Sequence, residues 1–369
     1  MLYATLAPES IRAIAPYQPG KPISELAREM DLDEASIVKL ASNENPLGMG
    51  PQAQAALQAA VADLARYPDG NGFALKHALA SRFKVAPQQI ILGNGSNDVL
   101  ELVARTFLGP GDEAIYSEFA FAVYPLVTQV TGATGVEVAA KAWGHDLAAM
   151  RAAITEKTKI IFIANPNNPT GTLLPADELH QFIASVPKEV LVVLDEAYTE
   201  YLAEGEGGDS VAWTREFQNL IVSRTFSKAY GLAGLRVGFA ISNSEVADLV
   251  NRVRQPFNVN SLAQAAAVAA LQDEAFLQES RRVNDEGMQQ ITAALTEMGL
   301  SFIPSRANFV TFHCDHAAQI NDYLLHHGVI VRPLAGYRMP NSLRVSIGLA
   351  EENARFITVL REALQHYAG

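Results

Sequence analysis

The sequence predicts an α/β fold: a mostly parallel central sheet flanked by helices, followed by a smaller α/β domain at the C-terminal end. Two observations carry this. Short apolar runs alternate with amphipathic segments up to about residue 255, and such alternation implies parallel strands covered on both faces. Beyond that point a long helical region leads to two more strand candidates and a final helix.

The first 45 residues are Pro-rich and irregular apart from ISELAREM, and read as an arm that packs on something else. Five buried strands are then expected within QIILGNGSND (89–98), DEAIYSEFAF (112–121), TKIIFIANPNNPTG (158–171), VLVVLDEAY (190–198) and NLIVSRTFSK (219–228). Amphipathic stretches such as DVLELVARTFL (98–108) and PADELHQFIASV (175–186) supply helices between them, and GLRVGFAIS joins the same sheet. The Ala-rich stretches PQAQAALQAAVADLA and SLAQAAAVAALQ read as helices packed closely through small side chains. A helical region over 261–298, the strands ANFVTFH and NSLRVSIG, and the helix EENARFITVLREALQHYAG complete the chain. The expected division is an arm (1–45), a large domain (46–255) and a small domain (256–369).

Composition narrows the function. The chain has 369 residues, 49% of them hydrophobic and 18% charged, which is globular. A net charge of −12 argues against nucleic-acid or anionic-membrane surfaces. The single cysteine, Cys314, allows no internal disulfide and fits a reducing, cytoplasmic setting. No signal peptide and no bilayer-spanning run are read.

The chemically distinctive residues follow the apolar runs, and ligands of open α/β sheets bind beyond the carboxyl ends of the strands. After the first run, Gly95, Ser96 and Asn97 stand at a helix start, where outward-pointing N–H groups make an anion site. A plain helix cap at Ser96 is the alternative. Asp195 follows VLVVL directly, so its carboxylate is expected in the interior, where it needs a cation or strong donors. That partner is either a structural salt bridge or a protonated ring nitrogen on a ligand. Tyr198 lies three residues on, and NPNNPTG holds Asn168 in a stiff turn. In SRTFSKAYGLAGLRVGF, Lys228 sits among small and apolar residues, with Thr225 and Ser227 before it and Arg236 after it. Hydroxyls and a forked cation suit a phosphate. A Schiff base between Lys228 and a phosphorylated pyridine aldehyde accounts for all of these groups.

NPNNPTG, DEAY and TFSKAYGLAGLRVGF, in this order, resemble the fold-type I pyridoxal phosphate (PLP)-dependent aminotransferases, over nearly the whole chain. ASNENPLG (41–48), ARYPDG (65–70) and SLRVSIG (342–348) narrow the resemblance to the histidinol-phosphate aminotransferases of bacterial histidine biosynthesis. The resemblance implies PLP as cofactor, attached to Lys228, which also shuttles the proton between Cα and C4′. Asp195 would keep the pyridine nitrogen protonated, Asn168 and Tyr198 would bind the ring oxygen, and Phe121 would stack on the ring in preference to Phe119. Gly95, Ser96, Asn97, Thr225, Ser227 and Arg236 would hold the phosphate, with Tyr67 reaching it from the other subunit of a homodimer. Asn97 replaces an acidic residue common in relatives, and Arg338 stands where glycine is expected.

The implied reaction is ping-pong transamination of L-histidinol phosphate with 2-oxoglutarate, giving imidazole acetol phosphate and L-glutamate. Arg344 is the carboxylate-binding arginine by resemblance, with Arg332 and Tyr17 as further contacts for a phosphate dianion. A surface ion pair is the alternative for Arg332. An aromatic amino-acid aminotransferase, a PLP-dependent decarboxylase of a phosphorylated amino acid and a regulatory module without turnover remain as alternatives. HCDH at 313–316 invites a metal reading, but adjacent residues on an extended chain point to opposite faces. A strand end followed by a helix capped near Asp315 is expected instead, with no metal.

Overall fold

The computed structural model describes residues 3–16 and 20–367. Its centre is a seven-stranded sheet of β2 (Ile90–Gly93), β3 (Glu113–Ser117), β4 (Thr134–Val138), β5 (Thr158–Ala164), β6 (Leu191–Asp195), β7 (Leu220–Thr225) and β8 (Gly238–Ile241). The spatial order is β2-β8-β7-β6-β5-β3-β4. All neighbours are parallel except those of β8, which runs antiparallel to both β2 and β7.

The two-residue period of a strand divides the interior into two cores. Ile161, Ile163, Val192, Leu194 and Val222 face one core, with Leu75, Leu179 and Phe182 packed on them. Ile160, Phe162, Val193 and Ile221 face the other, against Leu100, Val103, Tyr124 and Val250. Burial on both faces explains why these strands read as continuous apolar runs. The edge strand β4 escapes sequence reading, because TGVEV is mostly exposed and lacks such a run.

The expected helical region 261–298 is two helices, Ser261–Ala270 and Glu274–Glu297. Asp273 ends the first segment and caps the second through a bond from Phe276 N–H to its carboxylate. Ala263, Ala266 and Ala267 of the first helix share a core with Ala53 of the other Ala-rich helix, Pro51–Ala60, so small side chains do allow close approach.

The smaller sheet is antiparallel, with β9 (Phe302–Ile303), β10 (Phe309–His313), β12 (Arg332–Pro333) and β13 (Ser342–Ser346) in the order β12-β13-β10-β9. Its core joins Phe312, Leu343 and Val345 to Ile291, Leu295, Phe356 and Leu360. The arm packs here: β1 (Val38–Lys39) pairs in parallel with β11 (Val329–Ile330), and Leu26 of the helix Ile23–Met30 shares a cluster with Ile330. After β10, the helix Ala317–His326 is preceded by His316 in the left-handed region at φ 59°, with no side-chain cap, so the expected cap at Asp315 is not formed. His313 pairs instead with Ser342 Oγ at 2.8 Å and Cys314 is buried. Among the described residues no helix is long and apolar enough to cross a membrane.

Phe162 is fully buried in β5 and stacks on Tyr124 at 4.9 Å between ring centroids. Phe162→Ala should destabilise the protein by about 3–5 kcal/mol through lost transfer energy and a residual cavity. A fall in the urea unfolding midpoint would measure it.

Candidate active site

The crevice lies at the carboxyl ends of β2, β5, β6 and β7, where each parallel strand hands over to its loop. A cavity of about 190 Å³ opens there. Ser96, Asn97, Phe121, Asn168, Asp195, Tyr198, Thr225, Ser227, Lys228, Arg236, Arg332 and Arg344 all line it. Residues as far apart in sequence as Ser96 and Arg344 thus converge on one space.

Lys228 follows β7 on a loop closed by the Gly231 N–H bond to its carbonyl. Its Nζ donates to the carbonyl of Ser42 in the arm at 2.9 Å. Burial lowers its pKa to about 8, Arg344 and Arg236 push the same way, and Glu44 opposes them. A substantial neutral fraction near pH 8 makes this amine a nucleophile.

Asp195 ends β6 and is buried. Its Oδ2 accepts from the Tyr124 hydroxyl at 2.8 Å, whereas Oδ1 is buried and has no partner among the described residues. Burial raises the carboxyl pKa to about 6, the Tyr124 bond pulls it down and Glu196 pushes it up. An N–H cation against Oδ1 would satisfy the orphaned oxygen and restore the charged form. A structural salt bridge to Asp195 is absent among the described residues; the buried ion pair nearby is Arg224–Glu196 at 2.8 Å.

The Tyr198 hydroxyl accepts from Asn168 Nδ2 at 3.1 Å and Asn43 Nδ2 at 3.0 Å. Burial lifts its pKa to about 12, so it stays a phenol and can donate into the cavity. Arg344, buried on β13, donates through Nη1 to Asn168 Oδ1 and through Nη2 to the Ala41 carbonyl at 3.1 Å. Arg332 on β12 is its direct cross-strand partner. Like charges facing each other in a sheet are unfavourable without an anion between or beside them.

The opposite end of the cavity is an anion cradle. Gly95 adopts φ 85° and caps the helix Ser96–Phe107, so Ser96 is the first helical residue and the cap expected at Ser96 falls one position earlier. Asp98 closes this turn by accepting from Asn94 N–H at 2.7 Å. A Cβ at Gly95 would lie 2.5 Å from Arg236 Nη2, which shows how closely the guanidinium covers this turn. Arg236 Nη1 reaches Ser227 Oγ at 3.4 Å, and Ser227 N–H bonds to Thr225 Oγ1 at 3.1 Å. A helix N-terminus, two hydroxyls and a guanidinium are the donor set of a phosphate site.

Two expected residues stand apart. Tyr67 is 82% exposed and stacks on Phe257, away from the cavity of its own chain. Tyr17 lies outside the described residues. Sequence reading missed Ser42, Asn43, Tyr124 and Tyr337, of which Ser42, Asn43 and Tyr337 line the cavity. Asn43 carried a signal in ASNENPLG, but its place against Tyr198 depends on the arm docking across 155 positions of sequence. Arg338 faces away from the cavity: it has φ 60°, where glycine is favoured, and pairs with Glu137 at 2.7 Å.

Gly238 begins β8 beneath the cradle, and a Cβ there would lie 2.4 Å from Ser96 N. Gly238→Ala should push the helix start out of place and weaken binding of pyridoxal phosphate at least about tenfold, roughly 1.4 kcal/mol. Equilibrium dialysis of the ligand against both proteins would measure it.

The chain is 63% identical over 359 residues to the histidinol-phosphate aminotransferase of Methylobacillus flagellatus, covering 97% of both chains. It is 58% identical over 365 residues to histidinol-phosphate aminotransferase 2 of Pseudomonas aeruginosa, covering 99% of both. The crystal structure of histidinol-phosphate aminotransferase from Sinorhizobium meliloti, in complex with pyridoxal-5'-phosphate, superposes with a TM-score of 0.89 at 28% identity over 97% of each chain. Residues 35–360 match the family model for aminotransferase class I and II, and the chain belongs to that family.

Proposed function

We propose that the protein is a PLP-dependent aminotransferase that transfers the amino group of L-histidinol phosphate to 2-oxoglutarate, giving imidazole acetol phosphate and L-glutamate. The observation that carries the reading is one cavity holding an amine of lowered pKa, a buried carboxylate oxygen without a partner and two facing arginines. The names of the relatives support the substrate.

The residues fit the cofactor. Asp195 Oδ1 would accept from the ring nitrogen, Asn168 and Tyr198 would bind the ring oxygen, and Phe121 would cover a ring face. Gly95, Ser96, Asn97, Thr225, Ser227 and Arg236 would take the phosphate, and Lys228 would carry the covalent link. Bound there, the cofactor supplies an electron sink that makes the substrate Cα–H acidic.

The chain's own groups do the rest. Nζ of Lys228 holds and returns the Cα proton, and its pKa near 8 suits both directions at neutral pH. Arg344 grips the carboxylate of glutamate or 2-oxoglutarate. Arg332 adds the second fork that a phosphate ester calls for, as would Tyr17 from the arm. The buried walls exclude bulk water and strengthen each of these charges.

We further infer a homodimer in the cytoplasm. Tyr67 at 82% exposure and Phe73 at 66% are unusual for large apolar rings, and a second copy would cover them. By resemblance Tyr67 would then reach the partner's phosphate site.

Capture of PLP by the apoenzyme requires neutral Lys228. Because the folded pKa is lowered to about 8, the rate should rise with pH and level off above that value. Stopped-flow absorbance of the apoenzyme mixed with PLP follows it, and a flat profile would contradict the assignment of Lys228.

Half-reaction kinetics test the substrate. Histidinol phosphate should react with a higher kcat/KM than phenylalanine or tyrosine. Arg332→Gln should cut its kcat/KM by roughly 10- to 100-fold, the worth of a charge-assisted bond, and affect glutamate less. Faster turnover of an aromatic amino acid would move the assignment to an aromatic aminotransferase. Carbon dioxide release would move it to a decarboxylase.

A further inference from the structure

A second cavity, of about 380 Å³, lies between the helix Glu274–Glu297 and the turn that follows β6. The helix presents Arg281, Asn284 and Asp285 to it. Their spacing of i, i+3 and i+4 puts all three on one helical face. Leu202 and Met288 supply apolar wall, and Arg306 and Glu206 line the same space.

The state of these groups is informative. Arg306 and Glu206 already neutralise each other, at 2.6 Å. Arg281 donates only through Nε, to the backbone carbonyl of Glu200, and has no carboxylate partner among the described residues. Asp285 makes no hydrogen bond or close ion pair among the described residues, although the charges of Arg306 and Arg281 attract it from farther off. Asn284 is 7% exposed, yet its Oδ1 makes no hydrogen bond among the described residues. The cavity therefore offers one guanidinium, one carboxylate and one buried amide oxygen that lacks a donor.

An orphaned buried acceptor costs about 1–3 kcal/mol, so a donor from an occupant offsets a real penalty. An occupant of purely negative charge would meet Asp285 and Glu206. A purely cationic one would meet Arg281 and Arg306. A molecule carrying both signs about one residue apart satisfies all three open groups.

We propose that this cavity is a binding site for a free α-amino acid, whose carboxylate pairs with Arg281 while its ammonium donates to Asn284 Oδ1 and Asp285. The site is separate from the cavity that holds Lys228 and shares no lining residue with it. It is connected to that cavity mechanically. The Glu200 carbonyl that receives Arg281 lies two residues after Tyr198. Tyr201, in its wall, accepts from Asn308 Nδ2 at 3.4 Å, and the same amide holds the Asn43 carbonyl at 3.0 Å. Asn43 in turn donates to Tyr198. Occupancy thus bears on the wall of the first site, as expected of an effector.

The test is equilibrium dialysis of the full chain carrying Lys228→Ala, so that no turnover consumes the probe. Each of the common L-amino acids serves as probe in turn. At least one should bind saturably at one per chain. Arg281→Gln and Asp285→Asn should each weaken that binding about tenfold or more, as should amidation of the probe's carboxylate or acetylation of its amine. Failure of every amino acid to saturate would overturn the proposal. So would saturable binding that Arg281→Gln and Asp285→Asn leave intact, which would place the probe outside this cavity.

Discussion

A single buried guanidinium ties the molecule together. Arg344 comes from the small sheet, donates to Asn168 in the loop after β5 and to Ala41 shortly after β1, and lies over the Phe309 ring at 4.9 Å. A cation in the interior is tolerated only when its donors are satisfied. Nη1 and Nη2 are met here by oxygens from two other parts of the chain. The segment after β1, the loop after β5 and the small sheet must therefore be in place together for the charge to be stable. The same constraint keeps a cation at the point where an anionic substrate group is needed.

That charge also sets its neighbours. Its field adds to burial in lowering the Lys228 pKa, and it opposes burial at Tyr198. Asp195 meets the reverse problem: its carboxyl is desolvated, and among the described residues the Tyr124 hydroxyl alone bonds to its side chain. The protein thus holds a carboxylate in an environment that favours its neutral form until a cationic donor arrives. Such under-satisfied groups weaken the isolated fold and are typical of sites built for a ligand.

The small sheet shows how local pairing serves the site. Antiparallel register puts Arg332 directly opposite Arg344, so two guanidinium-bearing residues are brought side by side at the crevice. Arg338 shows a trade-off. A non-glycine residue at φ 60° carries a cost, and its exposed side chain gains an ion pair with Glu137 and a bond to the Glu118 carbonyl.

Sequence alone determined the parallel core strands, since burial on both faces writes itself as unbroken apolar runs in segments such as KIIFIA and VLVVLD. It also marked the residues that follow those runs, because strand ends in such sheets face one crevice. The edge strand β4 left no comparable trace, as its side chains are mostly solvated. Tertiary structure decided what local pattern cannot encode. Tyr124 meets Asp195 across 71 positions and Asn43 meets Ser346 across 303. The polar network around the cavity exists only once both sheets and the arm have closed on it. Contacts of that separation depend on the whole chain's packing, and no window of sequence contains both partners.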